Sequence, residues 1–216
     1  MSDAGRVIAG TARGTRLAAP GEGTRPLADR VKQTLFAILE PDLPGAAVLD
    51  LFAGSGAGGI ECLSRGAARA VLVERDAIAC RVIGENLART HFAARGRVVH
   101  ADVRSYLADR AAADGPFDVV LIDPPYAEFT LLESALAGLA GPPAPLLTAA
   151  AWVVAKHFWR TPPPAAVGLL ASVRTRRFGE TALTFYRTAD PVPPGAEQSV
   201  AGSVDRTTAQ AEEAAR

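Results

Sequence analysis

Two short stretches of this sequence combine residue types that could do chemistry. The first is VLDLFAGSGAGGIE, where Gly54, Gly56 and Gly59 follow the G-x-G-x-x-G spacing of dinucleotide-binding loops. Such glycines let the backbone turn tightly and approach a ligand, at which the amides of the following helix point. Asp50 stands four residues before Gly54, inside an apolar run. The stretch therefore predicts a loop that holds an adenosine-bearing cofactor, and the glycines alone do not say which one.

Three acidic residues narrow the choice of cofactor: Asp50 lies within the first predicted strand of the alternating region, Glu74 ends the second and Asp102 follows the third. Glu74, twenty residues after Gly54, is placed to accept hydrogen bonds from two ribose hydroxyls, which NAD and S-adenosylmethionine both supply. Asp102 follows the third strand, where it could also simply cap the helix that starts at Val103. The Asp50 carboxylate would repel a pyrophosphate and attract the cationic methionine end of S-adenosylmethionine. This loop is therefore interpreted as an S-adenosylmethionine site.

The second stretch is Asp123-Pro124-Pro125-Tyr126, which follows the apolar run VVLI. Neither proline has an N–H group, and Pro125 restricts Pro124 to an extended conformation. The turn should therefore present the Asp123 carboxylate and the Pro124 carbonyl as two acceptors, with an aromatic ring beside them. Two acceptors and a ring suit the exocyclic amine of a stacked nucleobase. The motif predicts direct methyl transfer to such an amine, although a strand-ending turn with Pro-Pro as a stop signal is the simpler alternative.

The composition limits the class of protein. The chain has 216 residues, 49% of them apolar and 21% charged, and its formal net charge is zero. Arginine outnumbers lysine 21 to 2, which indicates a compositional bias and not by itself a nucleic-acid-binding protein. The two cysteines, Cys62 and Cys80, and the three histidines show no metal-ligand spacing, so no metal site is expected. With no signal-peptide pattern and no apolar run of 18 residues, a cytoplasmic protein without membrane contact is expected.

Strands and helices alternate through most of the chain. A hairpin is predicted over residues 6–17, with Gly10 and Gly14 at turns or bulges, and a helix from Asp29 that Pro41 and Pro44 end. Strands are predicted at residues 46–52, 68–74, 96–100, 116–123 and 150–158, with helices between them. The helix over residues 76–90 should bury Ile78, Val82, Ile83 and Leu87. Residues 169–178 and 181–188 indicate a final antiparallel pair.

This alternation predicts an α/β, Rossmann-like class I S-adenosylmethionine-dependent methyltransferase fold, with a mostly parallel sheet and helices on both faces. Three segments are expected. Residues 1–44 form an N-terminal hairpin and helix extension that contacts RNA and closes over the cofactor. Residues 45–189 form the methyltransferase domain. Residues 190–216 contain no aromatic residue and are expected to be a disordered tail.

The motifs together resemble those of the RsmD family, bacterial methyltransferases of a guanine N2 in small-subunit ribosomal RNA. The resemblance covers residues 6–187 and rests on GTARGTRL, TRPLADRVK, LDLFAGSGAGGIECLSRGA, VVLIDPPY and GETALTFYR. It implies that the region of Arg25 and the helix after Asp29 close over the methionine end of S-adenosylmethionine. The implied cofactor residues are Arg25, Asp50, Phe52, Ala53, Gly54, Ser55, Gly56, Glu74, Arg75, Asp102, Val103 and Asp123. The implied catalytic residues are Asp123, Pro124, Pro125 and Tyr126.

The implied partner is 16S ribosomal RNA or an assembly intermediate of the small subunit, bound by a monomer. Candidate RNA contacts are Arg6, Arg13, Arg16, Arg30 and Lys32, with Arg174, Arg176 and Arg177 near the last hairpin. Lys156, His157 and Trp159 are expected at the rim or in packing. The target base must leave its stack to reach Asp123.

Two other functions stay open. One is an adenine-N6 or cytosine-N4 amino-methyltransferase of DNA or another RNA, which the aromatic residue of the motif allows. The other is a non-catalytic, cofactor-binding ribosome-assembly module. A nicotinamide dehydrogenase is disfavoured because no hydride-transfer acid or base accompanies the loop.

Overall fold

The structure is a computed structural model, and it describes residues 3–21, 29–109, 111–125, 128–141 and 146–188. Arg25, Tyr126 and the predicted tail lie outside these residues, so the predictions made for them stay predictions.

Ten strands and six α-helices follow one another along the described chain. The strands are β1 Asp3–Arg6, β2 Arg16–Ala18, β3 Ala47–Leu51, β4 Arg69–Glu74, β5 Gly96–His100, β6 Phe117–Ile122, β7 Leu147–Phe158, β8 Ala166–Val167, β9 Leu170–Phe178 and β10 Thr181–Thr188. The helices are α1 Asp29–Leu39, α2 Ala57–Ser64, α3 Ala77–Arg89, α4 Val103–Asp109, α5 Ala111–Asp114 and α6 Phe129–Ala140, and a 3₁₀ helix spans Glu40–Asp42.

Eight strands form one sheet in the order β5-β4-β3-β6-β7-β10-β9-β8. The first five are parallel, and β10 joins β7 and β9 in antiparallel pairs. The order reverses between β3 and β6, and a crevice outside the carboxyl ends of the strands at such a point is where open α/β sheets bind ligands. The predicted α/β class, with its mostly parallel sheet and antiparallel C-terminal pair, is confirmed.

Each face of the sheet has its own apolar layer. On one face Leu35, Phe36 and Ile60, from α1 and α2, pack with residues of β3, β7 and β10. On the other face α4 and α6 cover Leu49, Val120 and their neighbours. Because both faces are covered, the central strands read as continuous apolar runs, which made them recognisable in the sequence.

The hairpin of β1 and β2 packs on the outer side of α2 through buried polar contacts. The Glu61 carboxylate is 1% exposed and accepts hydrogen bonds from the backbone amides of Ile8 (2.8 Å) and Ala9 (3.0 Å). Ser64 Oγ donates to the Ala9 carbonyl at 2.5 Å and accepts from the Ala12 amide at 3.0 Å. The hairpin also contributes apolar side chains to the layer that covers the sheet. It is therefore packed into the same core as the strands.

One local prediction was confirmed and one was wrong. The helix from Asp29 ends at Leu39, two residues before Pro41, and the 3₁₀ helix Glu40–Asp42 adds a single turn, in which proline is tolerated because its N–H is not needed. Ile78, expected on the buried face of α3, is 53% exposed. It lies in the first turn of α3, just after the carboxyl end of β4. Val82, Ile83 and Leu87, further along the same helix, are buried as predicted.

Gly10 should be far less tolerant of substitution than Gly14, although both have left-handed backbone angles (φ +81° and +86°). A Cβ on Gly10 would overlap the carbonyl oxygen of Ser64, whereas a Cβ on Gly14 meets open space. We expect Gly14→Ala to cost about 1–2 kcal/mol of unfolding free energy, from backbone strain alone. Gly10→Ala should cost about 3 kcal/mol or more, because the hairpin must also move off α2. Urea denaturation of the two variants measures the difference, and equal losses would contradict the docking described.

Candidate functional site

A cavity of about 750 Å³ opens at the carboxyl ends of β3 to β7, where the strand order reverses. The cavity is surrounded by the glycine loop, the ends of β4 and β5, the Asp123 corner and the inner side of α1. Its lining residues include Lys32, Leu35, Phe36, Asp50, Phe52, Ala53, Gly54, Ser55, Glu74, Arg75, Asp102, Val103, Asp123, Pro124, Pro125, Val154, Lys156 and Leu183. Most of the predicted cofactor residues and the described part of the predicted catalytic turn therefore meet in one space.

The glycine loop leaves β3 through a strained backbone. Phe52 has φ +64°, which is rare for a residue with a side chain and costs on the order of 1–3 kcal/mol. Gly56, at φ +78°, caps the start of α2, and its amide donates to the Ala53 carbonyl at 2.7 Å. The loop thereby turns α2 so that its first turn faces the cavity.

Asp50 is buried under this loop. Its Oδ2 accepts a hydrogen bond from the Gly59 amide at 2.7 Å, which ties β3 to the first turn of α2. Burial raises the pKa of Asp50 to about 7; the Gly59 hydrogen bond opposes this rise, and the nearby Asp123 and Glu74 carboxylates add to it. A cationic group placed in the cavity would favour the ionised form of this carboxyl.

Glu74 fixes the other side of the loop. Its Oε2 accepts from the Gly54 amide at 2.9 Å, and its Oε1 accepts from the Asp76 amide at 2.9 Å. A carboxylate has about four lone-pair directions, so both oxygens can accept further hydrogen bonds from a ligand in the cavity. Glu74 thus shapes the loop and lines the space that the loop borders.

The next two predicted residues have partners of their own. Arg75 lines the cavity while its guanidinium pairs with Glu128 at 3.0 Å. Asp102 Oδ1 accepts from the Arg104 amide at 3.0 Å, which is the capping role that the sequence also allowed. Asp102 lines the cavity as well, so the two roles are compatible.

Asn86 is a buried residue of the site region that was not among the residues predicted from the sequence. Its Nδ2 donates to the carbonyls of Ser55 and Ala18, both at 2.9 Å, and its Oδ1 accepts from the Ala18 amide at 2.9 Å. It thereby connects the glycine loop to the N-terminal hairpin. The signal was present, since Asn86 follows Val82 by four residues on the apolar face of α3, where a polar side chain needs partners.

Asp123 follows the last residue of β6 and faces the glycine loop across the cavity. Lys156, from β7, brings its Nζ to 2.5 Å from Asp123 Oδ1, an oxygen that is shielded from solvent. Burial raises the pKa of Asp123, and the charge and hydrogen bond of Lys156 oppose that rise. Pro124 is buried and Pro125 is exposed, with the Pro125 carbonyl accepting from the Glu128 amide at 2.9 Å. The corner is thus rigid and carries an anionic acceptor held by a cation.

Both lysines of the chain line the cavity. Lys32, predicted as a surface contact for RNA, is only 3% exposed, so its place is corrected to the interior side of α1. Lys156 was expected at the rim or in packing and instead pairs with Asp123. In a chain that uses arginine almost everywhere else, two retained lysines were the signal that could have identified both positions.

The other predicted surface residues are spread over the molecule. Arg6, Arg13, Arg16 and Arg30 are exposed, and their RNA contacts stay predictions. His157 is buried, with its Nε2 2.9 Å from Thr184 Oγ1, which is a packing position. Trp159 is half-buried beneath the Arg177 guanidinium, 3.5 Å from the ring centre.

Within the described residues, no group of three or more histidine, cysteine or acidic side chains is arranged to hold a metal ion. None of the described helices has the length and apolar character needed to cross a membrane.

The chain is similar to known proteins over most of its length. The family model described as "Conserved hypothetical protein 95" matches residues 5–187. YlbH of Bacillus subtilis, whose name assigns it provisionally to the rRNA methyltransferases, is 35% identical over 183 residues, covering 84% of this chain and 98% of that protein. Ribosomal RNA small subunit methyltransferase D of Escherichia coli K12 is 43% identical over 130 residues, covering 60% of this chain and just under two thirds (64%) of that protein.

Solved structures of similar proteins have the same fold as this chain. The structure of yhhF of Escherichia coli, named provisionally as a methyltransferase, superposes with a TM-score of 0.75 at 34% identity, covering 85% of this chain and 97% of that one. More distant S-adenosylmethionine-dependent methyltransferase structures, below 25% identity, share the fold alone. The family match over most of the chain, the glycine loop and the facing Asp123 corner lead to one assignment: the chain belongs to the RsmD family.

Proposed function

We propose that this protein transfers the methyl group of S-adenosylmethionine to the exocyclic N2 amine of a guanine in 16S ribosomal RNA. The observation that carries the proposal is the Asp123-Pro124 corner facing the glycine loop across a single cavity. Membership of a family with rRNA methyltransferase relatives supports the reaction and the RNA class. The choice of the guanine N2 as the methylated atom is the more specific part of the proposal.

S-adenosylmethionine, the cofactor, suits the part of the cavity lined by the loop. Glu74 would accept hydrogen bonds from the ribose hydroxyls, and Asp50 would face the cationic methionine end. Asp102 and Val103 would border the adenine. The cofactor supplies an electrophilic methyl group on a positively charged sulfur. A volume of about 750 Å³ lies within the range of small-molecule sites, with room for a base beside the cofactor.

The Asp123 corner would hold and orient the nucleophile. The Asp123 carboxylate and the Pro124 carbonyl accept the two N–H bonds of the amine, which turns the nitrogen lone pair toward the methyl group. An amine held in this way would form the new N–C bond as the S–C bond of the bound cofactor breaks, and the proton that the amine loses would pass to the Asp123 carboxylate or to solvent. Positioning supplies most of the acceleration in such an in-line displacement.

The identity of the base is tested by methylation of a defined substrate. Small ribosomal subunits from cells that lack this protein are incubated with the protein and isotope-labelled methyl donor, and the nucleosides are separated by mass spectrometry. We expect label in N2-methylguanosine from 16S RNA. Label in N6-methyladenosine or N4-methylcytidine would replace the guanine part of the proposal. An absence of transfer to subunits and to naked 16S RNA would contradict it as a whole.

Glu74→Gln should weaken cofactor binding, because an amide replaces one of the two oxygens proposed to accept from the ribose. A ligand at 100 times its dissociation constant stabilises the folded protein by about 2.7 kcal/mol. We therefore expect S-adenosylmethionine to raise the melting temperature of the unaltered chain clearly and that of Glu74→Gln much less. Glu85→Gln, a change of an exposed acid on α3, is the matched control and should keep the full shift. A full shift in Glu74→Gln would remove Glu74 from the cofactor site.

A further inference from the structure

The sheet continues beyond the cavity on the side of β10 and β9. Lys156 of β7 pairs with Leu183 of β10, and Leu183 pairs with Arg176 of β9. Residues directly opposite each other in an antiparallel pair point to the same face of the sheet. Since Lys156 and Leu183 both line the cavity, Arg176 projects from that same face.

A second row of the sheet repeats the arrangement one step along the strands. Val154 pairs with Phe185, and Phe185 pairs with Arg174. Val154 lines the cavity and Phe185 belongs to the apolar layer below it. Phe178, two residues after Arg176 on β9, packs against that same layer, which agrees with the face assigned to Arg174 and Arg176. With strands about 4.8 Å apart, the backbone of Arg176 lies about 10 Å from that of Lys156.

These two arginines are exposed. Residues 173–177 of β9 are all exposed, and β8 pairs with β9 at Leu170 and Ala171. Arg176 Nη1 donates to the Thr175 carbonyl at 3.4 Å, and within the described part of the chain neither Arg174 nor Arg176 lies within ion-pair distance of a carboxylate.

The neighbouring Arg177 was also a candidate RNA contact from the sequence, but the structure places its side chain elsewhere. It pairs with Ala182, which pairs with His157, so it projects from the opposite face. There its guanidinium stacks on Trp159, and its Nε donates to the Gly179 carbonyl at 2.9 Å. Three arginines in four residues are thus divided between the two faces. Two continue the face of the cavity, and one is engaged in packing on the other.

We propose that Arg174 and Arg176 bind phosphates of the RNA strand next to the target nucleotide, and the proposal rests on the function proposed above. With the target base at Asp123, its strand must leave the cavity over one of the bordering elements. The Lys156–Leu183–Arg176 row provides a continuous path to two exposed guanidiniums on the cavity face. A guanidinium presents several donors in a fixed fork that matches phosphate oxygens.

The test compares R174Q/R176Q with R177Q, a charge change on the same strand but the opposite face. Binding of each protein to small subunits from cells lacking this chain is measured at several salt concentrations, together with kcat and KM for methyl transfer. The logarithm of the binding constant falls linearly with the logarithm of the salt concentration, and the steepness of this line is called the salt slope. Two lost contacts to a single strand should reduce the salt slope by about 1.4. We also expect KM for the subunits to rise about tenfold in R174Q/R176Q, with kcat and cofactor binding unchanged. R177Q should keep the salt slope and KM of the unaltered chain.

Three other outcomes would overturn the proposal. If R174Q/R176Q keeps the original salt slope and KM, the two arginines only protect an exposed strand edge from pairing. If R177Q loses as much as the double variant, the assigned face is wrong. If the unaltered chain binds and methylates no ribosomal RNA, the proposed function fails and this proposal fails with it, whereas normal methylation with unaffected variants overturns the arginine contacts alone.

Discussion

Asp123→Asn is expected to lower the rate of methyl transfer by two to three orders of magnitude while leaving cofactor binding nearly unchanged. The amide replaces one carboxylate oxygen by an NH₂ group, which donates and cannot accept from the target amine. The substitution also removes the negative charge beside the reacting nitrogen, where positive charge develops as the methyl group arrives. Losses of one preorganised charge-stabilising contact in other enzymes are of about 10²–10³ in kcat.

The measurement is kcat for 16S RNA methylation beside the melting-temperature shift caused by S-adenosylmethionine. Asp118→Asn is the matched control, because Asp118 lies at the other end of β6. Its Oδ2 accepts from the Ala47 amide at 2.8 Å, and its Oδ1 accepts from Thr148 Oγ1 at 3.1 Å. That variant should lose stability and keep its turnover at a temperature where it is folded. A folded Asp123→Asn protein with full turnover would end the role proposed for Asp123.

The sequence predicted the parts of the site that depend on neighbouring residues. The glycine loop and the Asp-Pro-Pro turn are local, since a positive φ, a missing N–H or a helix cap is decided within a few positions. Their meeting in one cavity also followed from a general rule, because successive parallel strands place their carboxyl ends at the same edge of a sheet. Asp50, Glu74 and Asp102 could therefore be grouped before their distances were known.

What the sequence could not predict depends on register and on contacts between distant segments. Lys156 reaches Asp123 because Ala155 of β7 is in register with Ile122 of β6, a pairing that no local pattern fixes. The position of Asn86 on the apolar face of α3 indicates that it needs partners, but which partners it has depends on the hairpin lying against α3. Lys32 is basic and close to other basic residues, so it was assigned to the surface; helix orientation placed it inside. Each of these errors concerns which side of an element faces the cavity.

Lys156→Met is expected to move the acidic limb of the pH–rate profile to higher pH. Burial raises the pKa of Asp123, and Lys156 is the group that opposes this rise. Without the ammonium group, the pKa of Asp123 should increase further, so that a smaller fraction of the carboxyl is ionised at any given pH on the acidic limb. Each unit of that increase costs up to about tenfold in rate below the new pKa, because only the ionised carboxylate offers both oxygens as acceptors.

The direction of the pH effect separates this role of Lys156 from a simple contact with the substrate. A lost contact would lower the rate by a similar factor at every pH, whereas a shifted pKa leaves the rate near normal at high pH and lowers it as the pH falls.

Lys156→Arg keeps the positive charge and should restore most of the acidic limb, although a guanidinium does not reproduce the 2.5 Å contact of the ammonium group. The profile is measured as kcat against pH with saturating RNA and cofactor, after checking that each variant remains folded over the range. If Lys156→Met loses activity equally at all pH values and Lys156→Arg does not recover it, Lys156 does not act by keeping Asp123 ionised.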